Sequence, residues 1–210
     1  MRISKTLMTG AVAAVAVAGS ASAGVVDPFT TAATFGGVTA PWTTITGSLF
    51  AQRQATRFNN ASATLAGSGS WVASLPGSSS NTSLNYRVSG SGGTIDLSGI
   101  ASMSFALSSV SGSMTLNWYF QDVNGVEATQ AATQVPVSGN GTQTFDFSTA
   151  VLQDPSFDWT QITSMTVQMT RSGSINAGFT VSSFNFTAVP APGALALMGA
   201  AGLVGARRRR

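Results

Sequence analysis

The chain has 210 residues, and its composition excludes several classes of active site before any motif is considered. It contains no cysteine and no histidine, so disulfides, Ser–His or Cys–His nucleophile pairs and histidine or cysteine zinc sites cannot be built. The formal charge of +3 arises at the two ends, where Arg2, Lys5 and Arg207–Arg210 lie. Between Gly24 and Val189 four arginines stand against seven acids, a net charge of −3, which argues against nucleic acid as a partner.

The first 23 residues have the three zones of a secretory signal peptide. Arg2 and Lys5 supply the positive region, and Leu7 to Ala18 is a short apolar run. Ala21 and Ala23 provide the small-residue cleavage pattern. We therefore expect a signal helix over 1–23, export by the Sec machinery and cleavage after Ala23; the alternative is an uncleaved anchor or a buried helix.

The last 22 residues, 189–210, form a second three-part segment. It begins with Val189, Pro190, Ala191, Pro192 and Gly193, continues as an apolar run to Ala206, and ends with Arg207, Arg208, Arg209 and Arg210. As a helix the apolar part would be about 21 Å long, short of the ~30 Å hydrocarbon core of a bilayer. Snorkelling arginines can close that gap, so we expect a short transmembrane helix with the arginines on the cytoplasmic side.

This tail resembles the PEP-CTERM sorting signal of Gram-negative bacteria. Ala191 occupies the position at which that family usually has Glu. The resemblance implies recognition by an exosortase-type processing enzyme, a transient anchor in the inner membrane, and delivery to the cell surface or the extracellular space. Cleavage and retention of the tail are both compatible with this sequence.

The body, residues 24–188, shows the period-two alternation of half-buried strands. The clearest case places Met114, Leu116, Trp118 and Phe120 on one face, and Asn124-Gly125 then predicts a tight hairpin. Many short runs separated by Gly-rich turns predict an all-β protein, an antiparallel β-sandwich of jelly-roll-like type. A β-helix is the main alternative, and no repeat supports it.

Two segments do not show a clear pattern. Phe50 to Ala66 is interpreted as irregular or strand. Glu127 to Ala132 could form a single helical turn before Val135-Pro136-Val137 ends it.

The order of motifs from Gly93 to Thr187 resembles jelly-roll carbohydrate-binding modules and galactose-binding-like domains. It starts with Thr94-Ile95-Asp96-Leu97-Ser98 and ends with Asp158-Trp159-Thr160-Gln161-Ile162 and two strands. The resemblance implies glycan binding on a sheet face or at loop ends, commonly with a structural calcium.

Flat aromatic rings recognise sugars, and Trp42, Trp71 and Tyr119 are the candidate stacking residues. Tyr119 alternates with Trp118 and should therefore lie on the outer face of its sheet. Two or more exposed aromatics on a concave sheet would favour glycan binding, and a surface without such a groove would favour a structural role. Core packing is the ordinary alternative for each ring.

Oxygen ligands at short spacing make Asp122, Asn124 and Glu127 a weak candidate calcium site. A hairpin turn with polar flanks explains the same residues. The aspartates also offer carboxylates for glycoside hydrolysis, but aspartates beside turns usually serve the backbone.

Three functions are compatible with the sequence. The first is an exported, non-catalytic protein of the cell envelope or extracellular matrix, with no cofactor. The second is a carbohydrate-binding module acting on exopolysaccharide. The third, an enzyme that uses carboxylates, has the least support.

Overall fold

The computed structural model describes residues 23–35, 37–77, 79–88, 93–130, 135–173 and 175–189. The predicted signal helix and the predicted membrane helix lie outside these residues. Among the described residues, no helix is long and apolar enough to cross a membrane.

The described residues form strands joined by turns, together with one 3-10 turn at Phe147–Thr149. The strands are β1 (Ala23–Asp27), β2 (Thr43–Thr44), β3 (Gln52–Phe58), β4 (Ser62–Thr64), β5 (Trp71–Leu75), β6 (Asn81–Arg87), β7 (Ile100–Ser111), β8 (Met114–Asp122), β9 (Glu127–Gln130), β10 (Val135–Val137), β11 (Gly141–Asp146), β12 (Ala150–Leu152), β13 (Ile162–Arg171) and β14 (Ala177–Ala188).

These strands build two antiparallel sheets. The six-stranded sheet has the order β11-β7-β14-β5-β4, with β1 also paired to β14. The eight-stranded sheet has the order β12-β9-β8-β13-β6-β3-β2, with β10 also paired to β8. The predicted antiparallel β-sandwich is confirmed, and the antiparallel pairing of the described strands is not that of a β-helix.

The inner faces of the two sheets meet in an aromatic core. Trp118 of the eight-stranded sheet stacks on Phe105 of the six-stranded sheet, with ring centroids 5.2 Å apart. Phe184 of β14 approaches Trp118 edge-on at 5.6 Å, and Phe145 of β11 lies 5.7 Å from it. Offset and edge-to-face pairs of this kind add to the free energy of burying the rings. The core therefore depends on the alternation that the sequence showed.

The Asn124-Gly125 hairpin is confirmed, and it corrects the helical turn allowed for Glu127–Ala132. Gly125 has a φ of +79°, and its amide donates to the Asp122 carbonyl at 3.1 Å. The turn sends the chain back along β8, so that Glu127, Ala128 and Thr129 pair with β8 as strand β9. Residues 131 and 132 lie outside the described residues.

The ambiguous segment 50–66 contains two strands that belong to different sheets. β3 ends at Phe58, and β4 begins at Ser62. Between them Asn59 and Asn60 both have positive φ, and the Ala61 amide donates to the Phe58 carbonyl at 3.1 Å. Asparagine tolerates this left-handed conformation better than most residues, which explains why the strand pattern is interrupted here.

A buried ion pair connects β1 to β3. Arg53 donates from Nη1 to Oδ2 of Asp27 at 2.6 Å, and each residue is 1% exposed. Tyr86 of β6 donates to the same carboxylate oxygen at 3.0 Å, and the Phe29 amide donates to the other at 2.7 Å. Removing one partner from such a pair is costly because a buried charge is left uncompensated.

Tyr86 should make the protein sensitive to alkali. Burial, and next the Asp27 carboxylate, raise the pKa of Tyr86 well above its ordinary value of 10.0. The contribution of Tyr86 to the free energy of unfolding is therefore complete below pH 10. It is lost as the pH rises further, because the unfolded chain releases the phenol proton first. The body contains no lysine, whose side chain would titrate in the same pH range and obscure the contribution of Tyr86.

We expect Tyr86→Phe to reduce stability at neutral pH by about 1 kcal/mol through the lost hydrogen bond, and to flatten the alkaline decline. Urea unfolding measured from pH 8 to 12 checks this. Tyr119→Phe is the control, because Tyr119 is only partly buried and should contribute less to the decline. An unchanged alkaline slope in Tyr86→Phe would contradict the assignment.

Candidate functional site

The outward side chains of four neighbouring strands form a continuous polar surface, here called the polar face. On β8 the buried Met114, Leu116, Trp118 and Phe120 alternate with outward residues, and the same alternation runs through β13, β6 and β3. Most of the outward side chains are amides and hydroxyls, with one tyrosine, one arginine and, at the end of β3, one phenylalanine: Thr115, Asn117, Tyr119, Gln121, Ser164, Thr166, Gln168, Thr170, Asn81, Asn85, Arg87, Gln52, Gln54 and Phe58. Ser83 and Thr56 lie on the same side of their strands but are buried.

Strand register aligns these side chains into rows that run across the strands. Tyr119 is paired with Thr166, Thr166 with Asn85, and Asn85 with Gln54. Within this row the Thr166 hydroxyl donates to Oδ1 of Asn85 at 3.0 Å. The row therefore presents a phenol, a hydroxyl and two amides in line, each able to exchange hydrogen bonds with a ligand hydroxyl.

A second row lies two residues further along the strands. Gln121 is paired with Ser164, Ser164 with Arg87, and Arg87 with Gln52. Arg87 donates from Nε to Oε1 of Gln52 at 2.8 Å. This row contains Arg87, which is the one charged side chain of the polar face.

Tyr119 lies where alternation predicts it, outward and partly buried on the polar face. Burial, and then the Glu127 carboxylate, raise the pKa of Tyr119 above its ordinary value of 10.0. The phenol therefore stays protonated at neutral pH and can both donate and accept a hydrogen bond beside its ring.

Trp42 lies against the polar face at the other side of the sheet. Its ring is partly buried, and the Arg87 guanidinium carbon lies 4.0 Å from the ring centroid. β2, which begins one residue later, pairs with β3 and brings this segment to the sheet edge. Two of the three sequence-predicted aromatics are thus partly accessible on the same sheet.

The prediction that Trp71 stacks on a sugar is wrong, because Trp71 is a core residue that a ligand cannot reach. It is 1% exposed and meets Phe179 edge-on at 4.8 Å. It shares the inner face of β5 with Ala73 and Leu75, an alternation that was visible in the sequence.

The candidate calcium residues serve a hairpin. Asp122 is 1% exposed, and its Oδ1 accepts from the amides of Asn124 and Val126, each at 2.9 Å. Its Oδ2 accepts from the Asp158 amide at 3.2 Å. Glu127 is exposed on β9, and the described residues contain no group of three or more acidic side chains placed to hold a metal ion.

Four exposed aspartates each accept hydrogen bonds from the residue two positions later. Hydrogen bonds from Ser98, Ser148, Ser156 and Thr160 lower the pKa values of Asp96, Asp146, Asp154 and Asp158 respectively. A carboxyl with a lowered pKa is ionised at neutral pH, and is poorly suited to the proton donation that glycoside hydrolysis requires.

Most of the targeting residues lie outside the described residues, including Ala21, Pro190, Ala191, Pro192, Gly193 and Arg207–Arg210. The two that are described lie at the ends of the body. Ala23 begins β1 opposite Thr187 of β14, and the Val189 amide donates to the Gly99 carbonyl at 2.8 Å.

Sequence reasoning missed Arg87, Gln52, Gln54 and Asn85 as site residues. A local signal existed, because these polar side chains occupy alternate positions on strands whose other positions are apolar or small. Their assembly into rows depends on cross-strand register, which the sequence of each strand does not contain.

Comparison with solved structures finds several carbohydrate-active proteins. A family 11 carbohydrate-binding module from Clostridium thermocellum, in complex with a β-1,3-1,4-mixed-linked tetrasaccharide, is 13% identical over 65% of this chain and 89% of that chain, with a TM-score of 0.45. A low-affinity xylan-binding module from Roseburia intestinalis is 17% identical over 68% of this chain and 98% of that chain, with a TM-score of 0.39.

An exo-β-agarase is 15% identical over 65% of this chain but only 23% of that chain, with a TM-score of 0.45. No family model and no curated protein sequence matches this chain. Because these TM-scores are below 0.5, we take the function from the chain's own geometry.

Asp122→Ala should destabilise the protein by about 3 kcal/mol, because three backbone amides lose a buried charged acceptor. Urea unfolding with and without calcium measures this, and the loss should be the same in both conditions. Asp154→Ala is the matched control, since its carboxylate caps an exposed turn and its removal should have a much smaller effect. Calcium-dependent stabilisation of the wild type that Asp122→Ala abolishes would contradict the hairpin role and restore the metal site.

Proposed function

We propose that the body of this protein binds a polysaccharide through the polar face. The observation that carries the proposal is the position of two partly accessible aromatic rings, Tyr119 and Trp42, on either side of a row of amides and hydroxyls. Of the functions compatible with the sequence, this arrangement favours the carbohydrate-binding module over a purely structural envelope protein.

The chemistry of the polar face matches that of a sugar chain. A pyranose ring has an apolar face that packs on an aromatic ring, while its hydroxyls radiate in the ring plane and exchange hydrogen bonds with amides and hydroxyls. A surface with few charges and many such groups binds through several weak, neutral contacts.

The width of the row favours a chain over a single sugar. Tyr119 and Gln54 are separated by three strand spacings, which is about 14 Å, and Trp42 lies against Arg87 of the second row. A ligand that contacts both aromatics must therefore be an extended oligosaccharide or polysaccharide.

We propose further that the domain binds without hydrolysing its ligand. The lowered pKa values of the four exposed aspartates support this, because a general acid needs a carboxyl that is still protonated at neutral pH. Asp122 is buried and its two oxygens already accept backbone amides.

The two ends support a proposal about location. A signal peptide over 1–23 and a PEP-CTERM-like tail over 189–210 would export the protein, hold it at the inner membrane, and present it to an exosortase-type enzyme for release to the cell surface or matrix. A polysaccharide-binding body would then be delivered to the compartment in which exopolysaccharide lies.

Tyr119→Ala and Trp42→Ala should each weaken glycan binding roughly ten-fold, the usual effect of losing a large aromatic anchor. Affinity electrophoresis of the purified protein in β-glucan, xylan, agarose and polygalacturonate measures this, with thermal unfolding as a check on folding.

Val72→Ala is the control, because Val72 is an exposed hydrophobic side chain, 43% accessible, on the outer face of β5 in the six-stranded sheet. It should bind as the wild type does. An equal loss in all three variants would contradict the placement of the site, and no retardation of the wild type in any polymer would contradict the function.

For the tail, we expect the mature protein from native cells to begin at Gly24 and to lack the Arg207–Arg210 segment. Mass spectrometry of both termini measures this directly. Detection of the terminal arginines on the extracellular protein would contradict processing by an exosortase-type enzyme.

A further inference from the structure

Arg87 is held rigidly on the polar face by two contacts. Its guanidinium carbon lies 4.0 Å from the centre of the Trp42 ring, and its Nε donates to Oε1 of Gln52 at 2.8 Å. The stack and the hydrogen bond together restrict a side chain that otherwise has many rotamers. Arg87 therefore loses little side-chain conformational entropy when a ligand binds to its guanidinium, because the fold already restricts the side chain.

Arg87 has no acidic partner among the described residues, which include all seven acids of the chain. In that part of the chain the single ion pair joins Arg53 to Asp27, inside the core. Arg171 differs from Arg87, since its Nη1 donates to the Pro76 carbonyl at 2.6 Å and its Nε to the Gly173 carbonyl at 2.9 Å. The hydrogen bond of Arg87 to Gln52 uses Nε only, and leaves the two terminal nitrogens for another acceptor.

The neighbours of Arg87 can complete a binding site. Gln52 and Ser164 are its direct cross-strand partners on either side, and both are partly exposed. The Gln52 amide nitrogen and the Ser164 hydroxyl can bind ring hydroxyls of a sugar whose acidic group meets the guanidinium. Guanidinium and carboxylate are matched planar groups that form two parallel hydrogen bonds.

We propose that Arg87, with Trp42, Gln52 and Ser164, forms a subsite for the carboxylate of a uronic acid, so that the polysaccharide recognised by the polar face is an acidic one. This inference rests on the proposed function and specifies its ligand. The two terminal nitrogens of the guanidinium bind the carboxylate, and the Trp42 ring packs against the guanidinium and holds it in place.

Glu127 makes the two ends of the second row different in charge. It continues the same row beyond Gln121, three strand spacings or about 14 Å from Arg87. Its carboxylate repels a second carboxylate placed beside it, so the uronate carboxylate that is held by direct hydrogen bonds lies at the Arg87 end.

The test compares polygalacturonate with its fully methyl-esterified form, which has the same backbone without the negative charge. Affinity of the purified protein for each polymer is measured for the wild type, Arg87→Gln, Arg87→Lys and Arg171→Gln. Arg171→Gln is the matched control, because it changes the net charge equally but lies seven residues along β13 from Ser164.

The wild type should prefer the free acid, and Arg87→Gln should lose roughly ten-fold in affinity for it, as expected for a charge-assisted hydrogen-bonded pair. Arg87→Lys should lose most of the preference although it keeps the charge, because lysine cannot form the two-pronged contact. Arg171→Gln should keep the preference.

Equal binding of both polymers by the wild type, or an unchanged preference in Arg87→Gln, would overturn the uronate subsite. If neutral glycans still bind in a Tyr119-dependent way, the proposed function stands without it. If no polysaccharide binds at all, the proposed function fails, and the uronate subsite fails with it.

Discussion

The structure depends on one constraint: the eight-stranded sheet has one face buried against the six-stranded sheet, so alternate residues of each strand must point in opposite directions. In β8 this places Trp118 in contact with Phe105, Phe145 and Phe184, and Tyr119 on the outside. A slip of one residue in register would exchange the two sets and put polar side chains in the core. The aromatic core and the polar face are therefore two consequences of the same pairing.

The buried pair of Asp27 and Arg53 reinforces this sheet from inside. Arg53 is adjacent in sequence to Gln52, and Tyr86, which donates to Asp27, is adjacent to Arg87. Two of the three strands that carry the Arg87 subsite, β3 and β6, are thus tied to β1 directly below them. Groups that must hold a ligand in one geometry benefit from such support, because less ordering remains to be done when the ligand binds.

The longer strands, such as β7, β8, β13 and β14, the Asn124-Gly125 hairpin and the outward position of Tyr119 could be predicted from the sequence, because each follows from local alternation or turn chemistry. The same alternation would have placed Trp71 in the core with Ala73 and Leu75. The stack of Arg87 on Trp42 and the pairing of Asp27 with Arg53 could not be predicted, since they join residues that only cross-strand register brings together. Glu127 was misjudged for a related reason: its local sequence tolerates a helical turn, but the preceding hairpin returns it to β8 as a strand.

The most direct test of the polar face is a nuclear magnetic resonance titration of the isotope-labelled protein with a polygalacturonate oligosaccharide. The account predicts that shift changes concentrate on β3, β6, β8 and β13, including the side-chain amides of Gln52, Gln54 and Asn85, while the outer face of β7 and β14 stays unchanged. Changes confined to the six-stranded sheet, or to the loops around Asp96 and Asp158, would contradict it.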